Sequence, residues 1–156
     1  KNILMIVELD SLDKDILNLM KENSKLPYAE MASQLHSSVG TIHTRIKKME
    51  RLGVIQKTDI QINYGLLGYD ITCFIGIYLN KSRDYDQVVK GLQKINEITD
   101  LHYTTGQYSM FAKLVLKDTQ HLREILHDQI QTIEGVQRTD TLLSLHQSLK
   151  RKIKLT

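Results

Sequence analysis

Apolar positions recur with one period in the first third of the chain and with another in the rest. The first period is helical. Leu12, Ile16, Leu19 and Met20 mark one face of a helix predicted over 12–23. Ser11 is placed to cap it, and Asp13 and Asp15 suit the positive end of its dipole. Tyr28, Met31, Ala32 and Leu35 fall at i, i+3, i+4 and i+7, the spacing of a second, shorter helix. Pro27 sits in its first turn, where a helix accepts proline. His36, Ser37 and Ser38 interrupt the pattern. Val39, Ile42, Ile46, Met49 and Leu52 then form the narrow stripe of a third helix, capped by Ser38 and stopped by Gly53. His36 occupies a turn position often held by glycine, and histidine enters the left-handed region more readily than a β-branched residue.

Past Gly53 the pattern shortens. Val54 and Ile55, followed by alternation over 59–63, predict a short β-element, a wing or a linker strand. Gly65 and Gly68 within 64–68 mark a domain boundary. From Tyr69 the period is two. Ile71, Cys73, Ile75, Ile77 and Leu79 share one strand face, and Thr72, Phe74, Gly76 and Tyr78 share the other. The predicted order continues with a helix over 84–96, strands over 98–105 and 109–117 joined by a turn at Gly106-Gln107-Tyr108, a helix over 119–132 and a last strand over 136–145. Leu122, Leu126, Gln129, Ile130 and Ile133 are expected on the inner side of that second helix. The order β-α-β-β-α-β is that of a ferredoxin-like sandwich. The fold class expected is therefore α+β, an N-terminal winged helix-turn-helix over 1–63 and a C-terminal ferredoxin-like βαββαβ sandwich over 64–156. Both helices cover one sheet face. The other is also apolar, and a second copy is the economical cover for it.

Composition narrows the function. At 156 residues and 41% hydrophobic content, the chain supports one ordinary domain or two small ones. No apolar run is long enough to span a bilayer. Residues 1–10 are too short, and acidic at their end, for a secretion signal, and with only one cysteine in the chain a cytoplasmic protein is expected. One cysteine, Cys73, excludes an internal disulfide framework and a multi-cysteine zinc site. The net charge of +3 does not argue for nucleic acid by itself. Its location does. Within 39–52, Arg45, Lys47, Lys48 and Arg51 oppose only Glu50. Lys150, Arg151, Lys152 and Lys154 form a second basic cluster, which at a chain end is ordinarily solvated.

A short helix, a turn and a second helix with a basic outer face is the layout of a DNA-binding helix-turn-helix. The third predicted helix begins with small polar residues, Ser38, Gly40 and Thr41, so its end can enter a major groove without a side-chain clash. Gly40 costs helix stability relative to alanine, which a close backbone approach would explain. Thr41, Thr44 and Arg45 are placed to reach base edges or phosphates, and Lys48 and Arg51 to reach the DNA backbone. Enzyme chemistry has little to stand on. The six histidines show no metal-ligand spacing, and no phosphate loop, nucleophile elbow or catalytic carboxylate pair appears. No cofactor or metal is expected. A small-molecule enzyme on the ferredoxin-like sheet remains the rival class, because that fold hosts many functions. A ligand-independent DNA-binding dimer is the other. The stretch most like a ligand site is Tyr103-Thr104-Thr105-Gly106-Gln107-Tyr108-Ser109, whose turn amides can hold a carboxylate and whose Gln107 and Ser109 can read a polar group. A second polar cluster contains Gln129, Gln131, Thr132, Gln137, Thr139 and Thr141.

The chain resembles the Lrp/AsnC family of feast/famine regulators along almost its whole length. The residues that carry the likeness are Leu12-Asp13, Asp15-Ile16-Leu17, Tyr28-Ala29-Glu30-Met31-Ala32, Thr41-Ile42-His43-Thr44-Arg45-Ile46, Gly53-Val54-Ile55, Leu67-Gly68-Tyr69-Asp70 and Thr105-Gly106-Gln107-Tyr108-Ser109. The resemblance implies a transcription regulator that binds double-stranded DNA as dimers. It further implies assembly of those dimers, commonly into octamers, with a small amino acid held between dimers. The family pattern after Gly106 usually ends in aspartate, where this chain has Ser109. Residues 73–77, 103–109 and 130–134 are most similar to the asparagine-sensing branch, which implies L-asparagine as effector. On that basis Tyr103, Thr105, Gly106, Gln107, Tyr108, Ser109, Gln131, Thr132, Gln137 and Thr139 are the expected effector-binding residues.

Overall fold

A computed structural model describes residues 6–156 of the chain. It divides into two compact units. One runs to Gln61 and takes back the C-terminal segment Leu149–Thr156; the other is Ile62–Ser148. The tail had been expected with the second domain. It belongs with the first because the Leu155 side chain packs on that unit's core and its backbone bonds to Asn18.

The first unit holds three helices, α1 (Ser11–Glu22), α2 (Tyr28–Gln34) and α3 (Val39–Arg51). Their predicted inner faces meet. Ile16, Leu17, Met31, Ala32, Ile42, Ile46 and Met49 form one buried core. Val39 and Leu52, at the two ends of the α3 stripe, are 49% and 40% exposed and frame that core rather than fill it. The cap of α1 is Asp10, one residue before the Ser11 expected. Asp10 accepts from the Asp13 N–H at 2.9 Å while the Asp13 carboxylate accepts from the Asp10 N–H at 3.4 Å. This reciprocal pair satisfies more of the free helix N–H groups than a serine could, and both carboxylates face the positive helix end. Pro27 is likewise the residue before α2 and not its first. Ser38 caps α3 as expected, accepting from the Thr41 N–H at 3.0 Å. His36 has φ 50°, the left-handed turn anticipated for it. No strand forms over 54–63, so the expected wing or linker strand is a segment without regular secondary structure here. A lone strand has no ladder to satisfy its backbone, and Val54 and Ile55 pack on the helical core instead.

The second unit is a four-stranded antiparallel sheet in the order β2-β3-β1-β4, with β1 (Ile71–Leu79), β2 (Ile98–Tyr103), β3 (Met110–Leu116) and β4 (Val136–Leu143). Helices α4 (Tyr85–Leu92) and α5 (Thr119–Glu124) pack on one face. Cys73, Ile75 and Ile77 of β1 alternate into that core with Met110, Ala112, Leu114 and Leu116 of β3. The helix α4 is shorter than the predicted 84–96, ending at Leu92 before a turn. The helix α5 departs more. After Glu124 it widens into a π-helical turn over Ile125–Ile130. The wider turn brings Ile125 and Ile130, five residues apart, into the core beside Leu122 and leaves Gln129 exposed. A straight helix would have put Gln129 on the inner side, as the sequence spacing predicted.

The opposite sheet face has no cover among the described residues. It carries a line of aromatic rings. Phe74 and Phe111 stack with centroids 5.8 Å apart, Phe111 and Tyr108 at 5.8 Å, and Tyr108 meets Tyr78 edge-on at 5.3 Å. Gly76 lies beneath Tyr108: a Cβ built there would sit 2.4 Å from the ring. The glycine is needed here for space.

Candidate DNA-binding face and effector site

Helix α3 presents Ser38, Gly40, Thr44, Lys48 and Arg51 to solvent, with Thr41 half-buried. Gly40, Thr44, Lys48 and Arg51 follow each other at steps of four, four and three, one stripe along the helix. The Thr41 and Ser38 hydroxyls lie 2.8 Å apart, so the helix starts in a compact polar end. An added Cβ at Gly40 would meet only the Ser38 hydroxyl, at 3.9 Å. Packing within the chain therefore does not demand the glycine. Lys47, on the flank, is held by Glu50 at 2.8 Å.

Arg45 is turned elsewhere. Its Nη1 lies 2.6 Å from Asp10 and 2.8 Å from Asp13, and Lys48 Nζ approaches Asp13 at 3.8 Å. The Asp13 side chain is 1% exposed. A carboxylate so buried needs a counter-charge, and Arg45 supplies it. The guanidinium expected at base edges is thus occupied in pinning α3 to the N-terminus of α1. The ion pair holds the Asp10 carboxyl below the usual carboxylate range, through the Arg45 hydrogen bond first and the Asp13 backbone N–H second.

The expected effector residues fall into two groups in this chain. The hairpin group closes the β2–β3 connection. Gly106 has φ 104°, a conformation glycine alone adopts cheaply. Thr104 and Ser109 are joined by a backbone bond of 3.1 Å, and the Ser109 N–H donates to the Ile77 carbonyl at 3.0 Å. Gln107 Nε2 donates to the Tyr78 hydroxyl at 2.7 Å. Tyr103 leaves the group, leaning on Tyr85 with centroids 4.5 Å apart while remaining exposed. Thr105 is exposed at the turn. The second group sits where the π-helical turn faces β4. Gln131 Nε2 reaches the Thr139 hydroxyl at 3.4 Å, and Thr132 donates back to the carbonyls of Asp128 and Gln129 at 3.2 and 2.9 Å. Gln137 is exposed at the start of β4. Among the described residues no hydrogen bond joins the two groups.

Three polar residues beside the hairpin group were not expected. The Tyr78 hydroxyl, accepting from Gln107, donates to Asp140 at 3.1 Å, and the Arg138 guanidinium lies over the Tyr78 ring at 3.9 Å. Burial first, and Asp140 second, raise the Tyr108 phenol above its ordinary value. Arg138 and Asp140 alternate with Tyr78's face, since Tyr78 pairs with Arg138 and Gly76 with Asp140. The two-residue period of β4 contained that signal. Cys73 offers no chemistry: burial pushes its thiol up to about 11, so it stays protonated.

Sequence profiles match both units. That of the winged helix-turn-helix DNA-binding domain covers residues 9–56, and that of the Lrp/AsnC ligand binding domain covers residues 72–153. The chain belongs to the Lrp/AsnC family. It is 42% identical over 146 residues to Regulatory protein AsnC of Haemophilus influenzae, covering 94% of this chain and 97% of that one. It is 40% identical to Regulatory protein AsnC of Escherichia coli K12, covering 94% and 96%. The solved structure of E. coli AsnC superposes with a TM-score of 0.92 at 39% identity, over 96% of this chain and all of that one. A transcriptional regulator from Neisseria meningitidis, solved as a complex with L-methionine, shares the fold at a TM-score of 0.88 and 19% identity. The protein is accordingly a DNA-binding transcriptional regulator with a ligand-binding domain, an Lrp/AsnC protein of the AsnC-like kind. Among the described residues no helix is long and apolar enough to cross a membrane.

Proposed function

We propose that this Lrp/AsnC protein is a cytoplasmic regulator, without enzymatic activity, whose grip on its operator responds to L-asparagine. On DNA, α3 enters the major groove end-on. Ser38, Gly40, Thr41 and Thr44 face base edges, Lys48 and Arg51 reach phosphates, and Arg45 sets the helix angle through Asp10 and Asp13. The exposed polar stripe of α3, with a glycine that internal packing does not require, supports this assignment.

The effector half of the reading rests on one observation. Two polar clusters, the hairpin group Thr105-Gly106-Gln107-Tyr108-Ser109 and the group of Gln131, Thr132, Gln137 and Thr139, each present exposed side chains, and among the described residues no hydrogen bond joins one to the other. A ligand with an ammonium, a carboxylate and an amide can be closed between such halves from two copies. The family resemblance implies dimer–dimer contacts within an octamer as that place, and identity of 40–42% to proteins named AsnC supports asparagine as the occupant. A protein of the same fold holding L-methionine supports the amino-acid class. Binding between dimers favours one assembly geometry, and operator affinity changes by the effector's preference for that geometry and no more. Thermal unfolding across the common amino acids tests the effector. At a hundred times its dissociation constant, asparagine adds about 2.7 kcal/mol if only the native state binds. A selective shift by another amino acid replaces the effector; no shift at millimolar concentrations removes amino-acid sensing.

A further inference from the structure

The C-terminal segment Leu149–Thr156 is built into the DNA-binding unit. Asn18 of α1 holds it with both ends of its amide: Nδ2 donates to the Leu155 carbonyl at 3.0 Å, and Oδ1 accepts from the Leu155 N–H at 3.1 Å. The Leu155 side chain lies against the helical core. Lys14 Nζ donates to the Thr156 carbonyl at 2.6 Å and Lys21 Nζ to the Ile153 carbonyl at 2.5 Å. Lys152 Nζ donates to the Lys21 carbonyl at 3.4 Å. A basic chain end is ordinarily a solvated, mobile feature. This one is clamped over 152–156.

The clamp collects charge. Lys21, Arg151, Lys152 and Lys154 line one concavity of about 320 Å³, with Asn18 and Glu22 in its wall. Glu22 is the single carboxylate there, and among the described residues none of the four cations makes an ion pair. Like charges lining one recess repel one another, so the arrangement is relieved by an anion. Guanidinium and ammonium donors in one recess suit phosphate oxygens. The unit that carries the recess also carries α3.

We propose that this recess is a second phosphate-binding site of the DNA-binding unit, taking backbone phosphates of the bound duplex. It adds affinity and salt dependence without sequence preference, because phosphates carry no sequence. The inference rests on the DNA-binding reading of the unit, and the test separates the two.

Anisotropy titrations of the full chain with a fluorescent mixed-sequence duplex, at several salt concentrations, read the number of phosphates engaged. The slope of log affinity against log salt changes by about 0.9 for each phosphate contact. The expected result for Arg151→Ala/Lys152→Ala/Lys154→Ala is a slope shallower by about 2 and an affinity about tenfold weaker at low salt. Asn18→Ala, which frees the tail without removing charge, shifts the slope the same way. Circular dichroism melts identify any variant that has lost its fold. For such a variant, the Lys152→Gln/Lys154→Gln pair replaces the triple, with a smaller shift of the same sign. An unchanged slope in the tail variants, with a shallower slope in Lys48→Ala/Arg51→Ala, overturns the recess and leaves α3 as the DNA contact. Unchanged slopes in both sets overturn DNA binding by the unit as well. If inorganic phosphate raises the melting temperature of the parent but not of the triple variant, while their DNA slopes agree, the recess is a small-anion site and the duplex proposal is overturned.

Discussion

At the scale of single residues, the decisive group is Arg45. Its type and position on the outer side of α3 suggest base reading, yet the buried Asp13 takes its guanidinium. Replacing Arg45 by methionine leaves a carboxylate that is 1% exposed, accepting from the Asp10 N–H at 3.4 Å, with Lys48 at 3.8 Å as its remaining cation among the described residues. Breaking a fully buried pair costs about 3–5 kcal/mol. Arg45 is 28% exposed, so we expect about 2–3 kcal/mol in urea unfolding. A variant of unchanged stability that nonetheless loses DNA would return Arg45 to base reading. The same pair sets a pH dependence. Asp10 is held below its ordinary value, so its contribution is complete above the ordinary carboxylate value near 3.8 and is lost as pH falls through the lowered one. Acid melts monitored by circular dichroism should show the parent losing stability over that range. Asp10→Asn should flatten the fall, and an identical profile in the variant would detach Asp10 from it.

At the scale of elements, the sequence was most readable where one period ran without interruption. The stripes of α1, α2 and α3 and the alternation of β1 and β3 define the two cores the structure contains. Ends were less readable because caps compete: Asp10 outdoes Ser11 by accepting and donating in one reciprocal pair. The π-helical turn after Glu124 was invisible because it changes the register of the stripe partway, exchanging Gln129 for Ile125. The turn is also what carries Gln131 to Thr139, so the irregularity and the candidate effector site coincide, as such turns often do. The hairpin group was legible from Gly106, but its supports Tyr78, Arg138 and Asp140 lie on strands distant in sequence and become neighbours only through β1–β4 pairing. Gly76 links this site to the sheet. In Gly76→Ala the new methyl meets the Tyr108 ring, which must move away from its place above β1. Overpacking of this kind costs about 1–3 kcal/mol. Thermal unfolding should fall accordingly and effector affinity with it. Retained affinity would separate the hairpin group from the ligand.

At the scale of the whole molecule, the open face of the sheet is the surface that a second copy would cover. The helices and one sheet face enclose the buried core cluster between them, whereas Phe74, Tyr78, Tyr108 and Phe111 form an aromatic line on the other face. Leu142, paired with Phe74 across β1 and β4, extends it and is 48% exposed. A contiguous apolar patch rimmed by Arg138, Asp140 and Lys113 has the composition of an interface. A second copy applied face to face would bury each ring against its equivalent, the self-complementary contact of a two-fold dimer. Phe111→Asp puts a carboxylate into the middle of that contact, and in the twofold arrangement it does so twice, at close range and in a low-dielectric setting. Light scattering should then report a shift from the assembled mass to that of one chain, at concentrations where the parent stays assembled. The helix-covered core is untouched by the change, because Phe111 points away from Met110 and Ala112, so the variant's far-ultraviolet dichroism should match the parent's. An assembly that survives the substitution would move the interface off the sheet.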